Sequence, residues 1–502
     1  MNNPIPLDIA SIYKIGIEDW SKNTFWPMGQ NEFDDIVEFL WSEFDLLIMS
    51  LSRRDQKILI ADSKFVSLLS DYIHLTVSKK IIKEHKTYDY VYSDIATKIL
   101  FPNFKDIASK YRFSYDAKVN LFLKFKSFIK NICFNKFQYF FSSPDVWVLG
   151  SNDKLKTNFI EENNYFVRYK YFQNLIKFKN NHIQSLNLSQ DLEEKKSIFF
   201  KNISGFILDK YKFEIDFKNF SEAWRSRLID LSNIYISVYS SKFKPEKILL
   251  SEVGNPFHKI ICSALHDKAV DIYGFGHGND EGLIKRKINI YNEYTHCDFY
   301  ICYSKRSTYL KNQEYDESPL SKSMPTNFIF LDSHSKSEIL DYEINKEINT
   351  IMVIGYPFSH QRFHFSVADY FFHQLALEIK VAKFIKNLGK RVIYKPHPSL
   401  PSIYLKNYID IFDEVLTTPF ESCYQRADAL FFSCITTTTF GFSLQTKLPI
   451  IFLDYEKQNY AYGIHSFLKS RCELIPASYD KNNLIEFDHS YFEGVITKQD
   501  NL

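Results

Sequence analysis

The sequence predicts an α/β protein in which a helix-rich N-terminal portion precedes two Rossmann-like domains that face a cleft. Three observations predict it. From about residue 246 the chain takes up a strand-then-helix rhythm, and a second such rhythm begins at residue 350. Residues 305–348 between them are polar and broken, as expected of an inter-domain region. A chain of 502 residues with 45% hydrophobic and 24% charged residues has the length of two or three domains and a composition that buries sizeable cores.

The first 240 or so residues read mainly as helix. FDDIVEFLWSEFDLLIMSL (33–51) and KFVSLLSDYIHLTVSKKIIKEH (64–85) carry apolar residues at mixed spacings of three and four, which argues for amphipathic helices. DVWVLG (145–150) reads as a strand. Residues 151–230 show no clean period, and helices with long connections are expected there. Aromatic residues make up 17% of the chain and most are expected in the core.

The first α/β unit is built from the strand KILLSEV (247–253), a helix over 256–269, and the strands VDIYGF (270–275) and FYICYS (299–304). The second begins with the strand TIMVIGYPF (350–358) and the helix 369–389. The strand RVIYKPHP (391–398), a helix near 419–426, the strand ALFFSC (429–434), a helix over 437–447 and the strand PIIFLD (449–454) follow. Strands separated by helices imply parallel βαβ units. The boundaries drawn are 1–330 for an N-terminal, acceptor-side domain, helix-rich to about 240 with its α/β unit at 246–304, and 331–502 for a C-terminal nucleotide-sugar domain.

A formal charge of +2 provides no field that would collect nucleic acid or anionic membrane, so any anion site must be local. Seven cysteines without a CxxC pair fit a reducing, cytoplasmic compartment. The start MNNPIPLDIASIYKIGIEDW lacks the pattern of a signal peptide, and no run approaches the length of an apolar span.

In open parallel sheets, ligands bind outside the carboxyl ends of the strands, which selects a short set of residues. Tyr394–Ser399 places Lys395 and His397 at a strand end, with Pro396 and Pro398 fixing the backbone around the imidazole. An ammonium and an imidazole aimed into a cleft suit a nucleotide phosphate, against the plainer alternative of a proline-rich turn. Ser433–Gly441 follows the next strand, and its hydroxyls and free N–H groups at a helix start form an anion site without net charge. Simple capping by Ser or Thr is the plainer alternative there.

A KPHP strand end followed by a strand, a Ser/Thr cluster, a helix and KLPIIFLD resembles, over residues 350–455, the nucleotide-binding half of GT-B glycosyltransferases of bacterial surface-polysaccharide synthesis. Capsular Kdo transferases and bacterial sialyltransferases are the nearest in pattern. The resemblance implies a GT-B-like fold and a metal-independent enzyme without a cofactor. It would move a Kdo, sialic, pseudaminic or legionaminic acid from a CMP-activated donor to a cell-surface glycan or lipid-linked acceptor. It further implies that Lys395, His397, Pro398, Ser433, Thr436, Thr437 and Thr438 hold the donor. Partners are then the nucleotide sugar and the glycan acceptor, not nucleic acid, with peripheral association at the inner membrane face left open. CDP-glycerol polymerases share a similar arrangement, so a glycerophosphotransferase is the enzyme alternative, and a non-catalytic nucleotide- or carbohydrate-binding scaffold is the other.

Four of the 14 glycines fall at positions 274, 276, 278 and 282, marking a loop that turns sharply or approaches a ligand. His277, Asp280 and Glu281 within it, and Glu252 at another strand end, are the candidate catalytic groups, either deprotonating the acceptor hydroxyl or shielding the anomeric carbon. The HG pair followed by Glu293 and Asp298 resembles a group of surface-carbohydrate transferases, from whose pattern Tyr300 and Cys302 depart. His360 and His364 lack the intervening Glu of a metalloprotease helix, and Cys297 and Cys302 read as core thiols.

Overall fold

The computed structural model describes residues 3–7, 11, 25–92, 129, 145–150, 153–170, 188–242, 244–251, 254–276, 282–331, 347–356, 366–398, 411–435, 437–455 and 459–497, with the backbone alone for 366–375. A helical body comes first. Helix Gln30–Met49 turns Phe33, Ile36, Leu40, Phe44 and Leu47 inward at spacings of three and four, as its sequence requires. Ser52 caps an additional helix, Arg53–Ala61, that the periodicity did not separate from its neighbours. Helices Lys64–Glu84, Gln190–Tyr211 and Lys218–Tyr239 complete the body. Its centre is aromatic: Trp224 stacks on Phe65 at 4.5 Å between ring centroids, and Trp41 on Tyr291 at 5.1 Å. Part of the high aromatic content is thereby accounted for as core.

A short parallel pair, β1 (Asn3–Pro6) and β2 (Tyr88–Val91), lies beside this body. The first large sheet comprises β3 (Val146–Leu149), β4 (Val167–Tyr169), β5 (Lys247–Leu250), β6 (Asp271–Phe275), β7 (Phe299–Cys302) and β8 (Asn327–Phe330). Its order is β4-β3-β5-β6-β7-β8 and every pairing is parallel. This sheet is wider than the unit expected at 246–304. It recruits β3 and β4 from upstream, and residues 305–348, expected as a broken connection, supply helix Lys305–Asp316 and the edge strand β8. Burial along β8 alternates between exposed and intermediate, as at a sheet edge, although its sequence NFIF is mostly apolar and is embedded in otherwise polar text.

The second sheet comprises β9 (Thr350–Ile354), β10 (Arg391–Lys395), β11 (Glu414–Val415), β12 (Ala429–Phe432), β13 (Ile450–Tyr455), β14 (Glu473–Tyr479) and β15 (Ile485–Phe487). The order is β11-β10-β9-β12-β13-β14-β15, parallel except for the last pair. Where a helix was expected near 419–426 there are two 3-10 turns, Phe420–Ser422 and Tyr424–Arg426, and the helix expected at 437–447 is the shorter Thr438–Ser443. The fold is α/β and GT-B-like, with two Rossmann-like parallel sheets.

The helical body is fastened to the first sheet by the buried Lys259 ammonium. It donates to Ser63 Oγ at 2.8 Å, Tyr291 O at 2.8 Å, Asn292 Oδ1 at 2.9 Å and Ile60 O at 3.3 Å. Trp26 ties the N-terminal portion to the second sheet, its N–H donating to Asn482 O at 2.8 Å and its carbonyl accepting from Asn483 Nδ2 at 2.8 Å. Among the described residues, no helix is long and apolar enough to cross a membrane.

Candidate functional site

The order of the second sheet defines a crevice. From β9 the chain steps outward to β10 and β11, then returns to lay β12 on the other side of β9. Such a reversal opens a gap between the loops at the carboxyl ends of β9 and β12, where ligands of open α/β sheets bind. The register puts the motifs there: Lys395 pairs with Ile354, Ile354 with Phe432, and Phe432 with Phe452, one row across four strands. His397 lies two residues past this row and Ser433 one residue past it. Folding therefore brings the HP loop and the Ser/Thr cluster to one crevice.

Individual side chains differ in their posts. Lys395 does not stand open in the crevice; it is buried, its Nζ donates to Pro396 O at 3.1 Å, and burial lowers its pKa against the pull of Cys423 and Glu421. His397 is half-buried, Pro398 exposed and Ser433 buried. Thr437 is the cap of helix Thr438–Ser443, its Oγ1 accepting from Phe440 N at 3.1 Å, so its hydroxyl serves the plainer role considered above. Thr438 is exposed, and Thr436 lies outside the described residues.

Behind the crevice, Glu378 receives the Tyr356 N–H at 2.7 Å and the Tyr394 hydroxyl at 2.8 Å. The residue between β9 and Tyr356 is Gly355, where a Cβ would meet the Tyr394 oxygen at 2.5 Å. The glycine lets the turn pass the phenol.

The first sheet has its own reversal between β3 and β5, whose ends pair Leu149 with Leu250. Gly150 follows with φ +78°, and a Cβ on it would meet Ser251 O at 2.2 Å. Ser251 Oγ donates to Asp153, whose other oxygen accepts Lys156 N at 2.7 Å, and Lys156 Nζ reaches back to Leu149 O at 3.1 Å. The strand-end rule did not single out Asp153, because no period marked the residues after 150. Glu252 follows Ser251 and His277 follows Gly276, so both sit next to strand ends, but Glu252, His277, Asp280 and Glu281 lie outside the described residues, as do His360 and His364.

Two acidic residues of the weaker resemblance have structural posts. Glu293 accepts the hydroxyl of buried Tyr300. Asp298 accepts Ile272 N at 2.8 Å and faces His266 Nε2 at 3.0 Å. Cys297 and Cys302 are buried, and burial pushes the Cys297 thiol well up. Among the described residues no cluster of His, Cys, Asp or Glu could hold a metal ion.

The carboxyl-end loops of the two sheets meet. Past the glycine loop, Lys285 N donates to Asn459 O at 2.8 Å and Ala461 N to Leu283 O at 2.9 Å, with Ile284 bridged to Tyr460. Arg306 lies over the Phe467 ring at 3.8 Å. Because 282–285 follows β6 and 459–461 follows β13, the carboxyl ends of the two sheets are turned toward each other.

No protein-family profile matches the chain, and no curated protein matches it. Among solved structures, the chain is similar to Os79 from O. sativa in complex with UDP and deoxynivalenol-3-glucoside, at 9% identity and TM-score 0.34, covering 71% of this chain and 91% of the other. It is also similar to a doubly substituted form of Os79 in complex with UDP, at 9% identity and TM-score 0.32, covering 70% of this chain and 90% of the other. At these scores the description of the fold rests on the two sheets and their strand orders.

Proposed function

We propose that the protein is a glycosyltransferase that moves an acidic sugar from a CMP-activated donor to a cell-surface glycan or lipid-linked acceptor, working at the cytoplasmic side of the membrane. The observation that carries the reading is the row Lys395–Ile354–Phe432, which puts His397 and Ser433 on either side of the reversal in the second sheet. The resemblance of residues 350–455 to Kdo transferases and sialyltransferases supports CMP as the nucleotide. Breaking the bond between sugar and phosphate leaves negative charge on the nucleotide and positive charge on the anomeric carbon. In this reading His397, Ser433, Thr436 and Thr438 meet the leaving phosphate, a job for preorganised donors that calls for no metal. Lys395 contributes from below the surface, fixing the Pro396 carbonyl and hence the HP loop. The charged groups that follow the strands of the first sheet in sequence, His277, Asp280, Glu281 and Glu252, would serve the acceptor and the anomeric centre.

The test is a thermal-shift comparison of CMP, CDP, UDP and GDP. A nucleotide at 100 times its dissociation constant adds about 2.7 kcal/mol, and CMP is expected to shift the melting temperature most. A preference for UDP or GDP would overturn the CMP assignment, and a preference for CDP would favour glycerophosphate transfer.

A further inference from the structure

A carboxylate–imidazole–phenol group stands where the two sheets meet. Asp454 belongs to the carboxyl end of β13, and its Oδ1 accepts the Tyr460 hydroxyl at 2.7 Å while Oδ2 lies 2.8 Å from His465 Nε2. A carboxylate only accepts, so the Nε2 facing it carries a proton, and in the neutral ring Nδ1 then holds the lone pair. That nitrogen has no partner among the described residues, and the side chain is 43% exposed. The Tyr460 ring stacks on the imidazole at 5.4 Å and holds its plane. Tyr460 is itself bridged to Ile284, two residues after the last glycine of the glycine loop, and Tyr462 two residues on is 75% exposed. An imidazole oriented by a carboxylate, fixed by an aromatic ring and open on one nitrogen is the arrangement a general base requires. His266, by contrast, has Nε2 at 3.0 Å from Asp298 and Nδ1 at 3.5 Å from Lys57 Nζ.

We propose that the Asp454–His465 pair is the general base for the attacking hydroxyl, an assignment that rests on the transfer reading above. The acceptor O–H gives its proton to Nδ1 as the acceptor oxygen forms a bond to the anomeric carbon. The bond from that carbon to the phosphate oxygen breaks, and its electron pair leaves with the nucleotide. Asp454 keeps the Nε2–H and stabilises the imidazolium. His465 is the catalytic residue, while Asp454 and Tyr460 position it.

The test has two arms on the full chain, with His465→Gln and Asp454→Asn each first matched to the wild-type melting temperature. In the first arm diethyl pyrocarbonate is the probe, and modification is followed by peptide mass spectrometry. His465 is expected to react at least about five times faster than the similarly exposed, doubly engaged His266, and to slow at least about threefold in Asp454→Asn. An unreactive His465, or a rate that Asp454→Asn leaves unchanged, overturns the proposal whatever the donor is. In the second arm, release of nucleotide from CMP-N-acetylneuraminate, CMP-Kdo and UDP-glucose is measured beside CMP-induced thermal stabilisation. His465→Gln is expected to lose turnover by about 100-fold or more while CMP stabilises it as it does the wild type. Retained turnover overturns the base assignment and leaves the donor reading standing. Failure of CMP to stabilise even the wild type counts against the CMP reading, and the first arm still judges the pair.

Discussion

The Tyr394 hydroxyl donates a 2.8 Å hydrogen bond to Glu378 directly behind the turn that leaves β9. Gly355 in that turn and the Tyr356 N–H bound to the same carboxyl complete a buried unit under the crevice of the second sheet. A carboxyl, a phenol and a glycine thus shape the turn at the carboxyl end of β9, beside the crevice on which the nucleotide reading depends.

The unit makes stability depend on pH. Burial raises the Glu378 carboxyl from 4.5 to about 8, against the pull of the Tyr356 N–H and the Tyr394 hydroxyl. Between these values the folded chain holds a proton that the unfolded chain releases, so the contribution is complete below the unfolded value and is lost as pH rises through the folded one. The wild-type melting temperature is expected to fall between pH 6 and pH 9 more steeply than that of Glu378→Gln. Parallel slopes in the two proteins would rule this out.

Two glycines with the same backbone requirement should differ in tolerance. Gly389 has φ +74° with nothing within 4 Å of an added Cβ, whereas at Gly150, with φ +78°, that Cβ would lie 2.2 Å from the Ser251 carbonyl oxygen. Gly389→Ala should cost about 1–2 kcal/mol for left-handed strain alone, and Gly150→Ala about 2–5 kcal/mol because overpacking adds to it. Urea denaturation measures both, and equal costs would show that the first crevice is looser than its geometry.

His397→Ala should weaken CMP by about 1.5–3 kcal/mol, roughly 10- to 150-fold, by removing a contact to a charged phosphate. The unliganded melting temperature should hardly move, because His397 is half-buried at a strand end and outside the hydrophobic core. Isothermal titration measures the affinity. An unchanged value in a folded variant would return the HP loop to a structural turn.

Substitutions in the glycine loop should separate chemistry from binding. At least one of His277→Ala, Asp280→Asn and Glu281→Gln is expected to fold, bind CMP with wild-type affinity and lose about 100- to 10,000-fold in transfer rate. The loop follows β6 of the first sheet, whereas the motifs proposed to meet phosphate follow strands of the second. If all three variants transfer normally, the loop is structural and Glu252 becomes the first-sheet group to change next.

Much of this was legible in the chain. Strands such as β9, β12 and β13 are short apolar runs buried along most of their length, which sequence shows plainly because a parallel strand covered by helices needs apolar residues on both faces. The strand-end rule then singled out His397 and Ser433, which lie just past the row that joins β10, β9 and β12, and applied once more to PIIFLD it would have singled out Asp454. Short edge elements were not legible: β8, NFIF, is a brief apolar run inside the polar residues 305–348, and the antiparallel β15 pairs only through the hairpin from β14.

By itself, then, the sequence determined that there are two α/β units after a helical region and which residues end their strands, because burial periodicity and proline or glycine punctuation are local properties. Tertiary structure alone decided that β3 joins β5 across almost one hundred residues, and that β9 and β12 become neighbours and open a crevice. It decided too that Lys395 turns inward while His465 meets Asp454. The reason is physical: strand order and side-chain partnership are set by backbone hydrogen bonds and packing between distant segments, and no local pattern of residues encodes which distant edge a strand will find.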